Sequence, residues 1–193
     1  MKVQSAAPDH GQEEFSEHGV QRRLGGSWLA VLNGIALAFS TYQLIVAAFH
    51  PLSSLVIRSL HVGFLLCITF ILYPSFKGGG RLSKVGAGDT ALAFGALALS
   101  TYHWVFEAEL IQRSGDPSKL DLFVGTALVV LCFEATRRIL GLALPIVCGA
   151  FLLYGMFGQY LPGDLAHRGF GFDQIVNQLA LGTEAIFGIP TLV

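Results

Sequence analysis

Residues 120–162 read LDLFVGTALVVLCFEATRRILGLALPIVCGAFLLYGMFGQYLP, and beyond Asp121 the only charges in that run are Glu134, Arg137 and Arg138. As one helix rising 1.5 Å per residue, the run would extend over about 60 Å, twice the ~30 Å of a bilayer core. It therefore has to fold back. Arg137-Arg138 followed by Gly141 marks the turn, because glycine interrupts a helix and arginines in short loops stay on the cytoplasmic side. Two apolar arms rising from that side orient the rest of the chain.

The composition agrees with a membrane solvent. The 193 residues are 53% hydrophobic and 13% charged, with mean hydropathy +0.60, too apolar for an ordinary soluble domain. A net charge of -1 and the absence of a Lys/Arg run exclude a nucleic-acid surface. Cys67, Cys132 and Cys148 lie singly in apolar segments, with no second cysteine or histidine at ligand spacing, and read as small apolar fillers. Gly78–Gly80 lacks the Lys-Ser/Thr ending of a phosphate loop, so ATP coupling has no motif. No nucleophile–base–acid arrangement stands out, and the chain is not read as an enzyme or as a holder of cofactors or metals.

Residues 1–27, with Asp9, Glu13, Glu14 and Glu17 and no apolar run, are expected to form a disordered cytoplasmic tail. Arg22 and Arg23 precede the first span, Trp28–Phe49, which His50-Pro51 ends. A second span, Ile57–Phe76, returns to a glycine-rich loop holding Lys77, Arg81 and Lys84. The third runs from Asp89, expected to cap its first turn, to about Glu107, with Tyr102 and Trp104 in an aromatic belt. A polar loop follows, in which Asp116-Pro117 reads as N-cap and first helical residue of the fourth span. The fifth covers Leu142–Leu161.

The expected fold is thus all-α, a polytopic integral membrane helical protein with about five transmembrane helices and a cytoplasmic N-terminus. Lys2, Arg22, Arg23, Lys77, Arg81, Lys84, Arg137 and Arg138 fall inside, and Arg58, Arg113, Lys119 and Arg168 outside, the bias that membrane insertion favours. After Pro162, Asp173 is expected to cap a short amphipathic helix laying Ile175, Val176, Leu179 and Leu181 in the interfacial plane. The closing TEAIFGIPTLV is far short of the ~20 residues a span needs, so the natural chain is expected to continue past Val193.

Through EATRR, LALPI, YLPGDLAHRG and EAIFGIP, residues 134–190 resemble the fused permeases of TRAP transporters (tripartite ATP-independent periplasmic transporters), particularly the TAXI branch. The resemblance extends loosely over the earlier segments. It implies a four-helix small-subunit region at 28–138 and the opening of the large permease subunit at 139–193. It also implies a bacterial inner-membrane location and uptake of organic acids such as dicarboxylates, driven by a sodium or proton gradient. The partners it implies are a periplasmic solute-binding protein and the remainder of the large permease. That family's substrate and ion sites would follow Val193, so this piece is expected to scaffold and not to transport by itself.

Glu134 lies three and four residues before Arg137 and Arg138 and shares their helix face, which makes a structural interfacial ion pair the simpler reading over a functional intramembrane acid. His61 and His103 fall at equal depth on neighbouring helices. They read as interhelical hydrogen-bond partners; the sharper alternative is axial ligation of haem in an electron-transfer subunit, haem- or quinone-linked. Gly34 with Ala38, and Ala91 with Gly95, have the spacing of close helix contacts, and Asn33 and Gln43 that of interhelical hydrogen bonds. His167-Arg168 lies outside, read as a solvated loop or as a docking point for the binding protein. Glu107, Glu109, Asp116 and Lys119 share that ambiguity.

Overall fold

The computed structural model describes residues 21–49, 52–75 and 84–188, which divide into helices bounded by caps and glycines. The elements are α1 (Ser27–Phe49), α2 (Ser54–Leu72), α3 (Ala87–Val105), α4 (Glu107–Gln112), α5 (Lys119–Leu140), α6 (Ala143–Phe157) and α7 (Phe172–Val176). Short 3-10 turns at Gly158–Tyr160 and Gly163–Leu165 follow α6, and α7 runs on into a π-turn, Asn177–Leu181. Lys77 and Arg81, two of the expected inside charges, and most of the N-terminal tail lie outside the described residues.

Three helices among the described residues are long and apolar enough to cross a membrane: α1, α2 and the 18 residues Ala143–Tyr160. The other two expected spans are long enough, at 19 residues for α3 and 22 for α5, but not apolar enough. Asp89 and the run Ser100–His103 lower α3, while Lys119, Asp121, Glu134, Arg137 and Arg138 interrupt α5. Length and composition by themselves thus support three of the five expected spans among the described residues.

Helix ends differ from expectation where local chemistry competes. Ser53 caps α2 by accepting from Val56 N, so this helix starts a turn earlier than its apolar run. The fifth helix is capped by Ser118 and not by Asp116. Ser118 Oγ accepts from Asp121 N, and Asp121 Oδ2 accepts from Ser118 N, a reciprocal box that satisfies two N–H groups and leaves Pro117 outside the helix. Gly86, not Asp89, occupies the N-cap of α3, which leaves the Asp89 carboxylate available to other partners. Part of the expected polar loop after α3 coils into α4 and buries Leu110. Gly141 breaks the long apolar run as its position implies: its φ of 80° and ψ of -165° are open essentially to glycine alone.

Consecutive long helices are antiparallel. Tyr42 OH in the second half of α1 donates to Ile57 O near the start of α2, and Ser75 just past α2 reaches Asp89 at the start of α3. Tyr102 near the end of α3 donates to Asp121 at the start of α5. The core centres on α2, where Val62, Leu66, Cys67, Phe70 and Ile71 pack with Ala93 and Ala96 of α3 and Val124, Leu128 and Ala135 of α5. At Gly63 a Cβ would lie 2.6 Å from Ser100 Cβ, so the α2–α3 backbones approach as closely as they do only because position 63 has no side chain. The small residues singled out from spacing are not at such contacts: Cβ atoms at Gly34 or Gly95 would meet nothing within 4 Å.

The segment after α6 folds back onto the bundle instead of lying free as an amphipathic helix. Val176, Ala180 and Leu181 are buried over Gly125 of α5, where a Cβ would sit 2.7 Å from Val176 Cγ1. Phe187 is fully buried in the core, and its carbonyl accepts from Arg58 Nη1 at 2.9 Å. By contrast, α6 buries no residue and α1 buries only Val46, so these two helices present their apolar surfaces outward.

Candidate functional site

A helix ends with carbonyls that have no partner within it, and its C-terminus carries partial negative charge. At the end of α2, and in the residues just past it, backbone carbonyls receive donors from two other parts of the chain. Arg22 N donates to Leu72 O, Arg22 Nη1 to Ile71 O, Arg138 Nη1 to Tyr73 O and Arg137 Nη2 to Ser75 O. Arginine suits this position because its planar fork keeps its charge and offers five donors.

Asp89 joins the arginines. Its Oδ2 lies 2.6 Å from Arg22 Nη2 and its Oδ1 2.9 Å from Arg138 Nη1, with Ser75 Oγ donating to Oδ1 at 2.8 Å. Ser75 Oγ also accepts from Arg138 Nη2. One turn back on α5, Glu134 accepts from Arg137 Nε and Nη2 through both oxygens and from Arg138 Nε at 2.8 Å. The Arg138 guanidinium lies 4.8 Å from the Phe70 ring centre, over its π-face. The Arg22, Arg138 and Asp89 side chains are only 3%, 1% and 11% exposed, so the centre of the network is sealed, while Glu134 and Arg137 form its partly exposed rim. It ties the segment before α1, the end of α2, the start of α3 and the end of α5 at one end of the bundle.

At the other end Asp121 is fully buried by its capping box, by the Tyr102 hydroxyl and by Arg113 at 3.6 Å. Next to it, His103 Nε2 donates to Ala180 O at 2.8 Å and the ring packs edge-on to Phe187. His61 faces a different neighbour: its ring meets Phe39, and its Nδ1 is bonded to Gln43 Nε2 on α1. The two imidazoles expected at equal depth are thus engaged with separate parts of the fold. Among the described residues, no three His, Cys, Asp or Glu side chains come together as a metal-binding group.

The His167-Arg168 pair divides. His167 is built into the loop: its backbone N–H donates to Gly158 O, its ring nitrogens face Arg168 O and Tyr154 O, and it packs against Tyr154 and Phe170. Arg168 is exposed and makes no ion pair with a described residue. Of the charges expected to set topology, Arg22 is buried in the network whereas Arg23 and Lys84 are exposed. Asn33 is exposed, while Gln43 makes the contact to His61.

The sequence reading missed Asp89 as a bridging acid, Ser75, and the Tyr102–Asp121 contact. A signal for the first was present: an acid at a helix end that the orientation places on the same side as Arg22 and Arg138. No protein-family model matches the chain, and no curated protein or solved structure was found to be similar to it.

Proposed function

We propose that this chain is the scaffold of a TRAP-type secondary transporter for organic acids, with a four-helix small-subunit-like unit at 28–138 and the opening of the large permease after Gly141. In this reading α3 and α5 also cross, packed against α2 and each other, which makes five crossings with the N-terminus cytoplasmic in a bacterial inner membrane. Polar residues in crossing helices turn toward the bundle interior, as Asp89, Ser100, His103 and Arg138 do here. The partners are a periplasmic solute-binding protein, which supplies the substrate, and the remaining permease, where a sodium or proton gradient is coupled to uptake.

The observation that carries the reading is the network in which buried Arg22, Asp89 and Arg138 join the partly exposed Glu134 and Arg137. It locks the ends of α2, α3 and α5 and the lead into α1 into one unit, while α6 hangs from Gly141 with its apolar surface uncovered. A rigid block with an appended, unsatisfied span fits a scaffold awaiting more membrane helices. Deleting the gene in the source organism should abolish gradient-driven uptake of a labelled dicarboxylate, with recovery on complementation. Uptake that is unchanged in the deletion strain for every organic acid tried would overturn the proposal.

A further inference from the structure

A groove of about 690 Å³ runs between the outer half of α6 and α7. Phe151, Gly155 and Ile175 line its apolar part, and Arg168, Gln174 and Gln178 its polar part; no acidic side chain lines it. The returning loop places the arginine: Phe170 N donates to Gly155 O at 3.1 Å, while the His167 ring is bonded to Tyr154 O. Arg168 is thereby held beside the final turns of a helix whose Phe151, Leu153 and Phe157 are exposed. Gly155 lies about 7.5 Å inside the end of an 18-residue span, a distance that an arginine side chain reaches across to the headgroups.

We infer that this groove binds an anionic phospholipid, the acyl chain lying along Phe151, Gly155 and Ile175 and the phosphate pairing with Arg168, assisted by the Gln174 and Gln178 amides. The chemistry favours this occupant over a soluble anion because most of the lining is apolar and opens beside an uncovered apolar helix. It favours an anionic over a zwitterionic lipid because one cation faces the groove without an acid, and an arginine near a membrane surface contributes about 1 kcal/mol toward anionic lipid. The inference needs only that α6 is inserted, so its failure would leave the scaffold proposal standing.

The test is native mass spectrometry of the full chain in detergent, titrated with phosphatidylglycerol and phosphatidylcholine of identical acyl chains. Phosphatidylglycerol should be retained about fivefold more strongly, the equivalent of that ~1 kcal/mol at the surface. Arg168→Gln should bring the two lipids level and Arg168→Lys should keep the preference. Gly155→Leu should weaken both, because a Cβ there has only Ile175 Cδ1 at 3.9 Å and the larger side chain grows into the groove. Equal retention by the unaltered chain, a preference that survives Arg168→Gln, or binding of glycerol phosphate as strong as that of the lipid would each overturn the inference.

Discussion

Asp89→Asn tests whether the ion network holds the helix ends together. The carboxylate faces Arg22 at 2.6 Å and Arg138 at 2.9 Å, and both arginine side chains are no more than 3% exposed. Removing one member of such a buried pair costs about 3–5 kcal/mol, because the remaining charge stays desolvated. Arg138 keeps Glu134, Tyr73 O and Ser75 Oγ, and an amide at position 89 still accepts one hydrogen bond, so the lower end of that range applies. Arg22 is left with Ile71 O as its side-chain partner, and its Nε is already buried without one. The expected loss is about 3 kcal/mol, read as the shift in SDS-induced unfolding of the chain in mixed micelles followed by helical circular dichroism. Arg22→Met keeps the apolar stem and removes the charge. Combined with Asp89→Asn it should cost less than the sum of the two single changes by at least ~1.5 kcal/mol, because neither partner then remains unpaired. A loss under about 1 kcal/mol for Asp89→Asn, or strict additivity in the cycle, would refute the reasoning.

Gly63→Ala should destabilise the same transition by about 1–3 kcal/mol by forcing α2 from α3, despite alanine's better helix propensity, and Ser100→Gly in the same chain should restore most of the loss. At Gly141, alanine has to adopt a backbone conformation reserved for glycine, so Gly141→Ala should cost about 1–3 kcal/mol, whereas Gly95→Ala, whose added Cβ meets nothing within 4 Å, should be neutral or stabilising. Tyr102→Phe should cost about 1–2 kcal/mol in the same assay, since buried Asp121 then loses a donor; an unchanged midpoint would show that Arg113 and Ser118 suffice.

How much was legible in the sequence can be traced through these residues. Gly141 announced the break between α5 and α6 because the run around it exceeds any bilayer and glycine alone tolerates the conformation needed there. The i, i+3 and i, i+4 spacing of Glu134, Arg137 and Arg138 put these side chains on one face, because an α-helix determines that geometry locally. The number of spans was less legible, since α3 and α5 mix apolar and charged residues, and hydropathy cannot distinguish a polar group facing lipid from one facing other helices.

What the chain alone determined is therefore local: helical runs, the glycine break, and the neighbours of a residue three or four positions away. Only the tertiary structure decided that Asp89 bridges Arg22 and Arg138, sequence separations of 67 and 49 residues, when its position in the chain made it look like a helix cap. It likewise decided that Gly63 and not Gly34 or Gly95 is the close-approach site, and that Val176 and Leu181 pack over Gly125. The physical reason is the same in each case. A charge or a missing side chain acquires its role from whatever lies opposite it, and what lies opposite is fixed by how antiparallel helices register across the bundle.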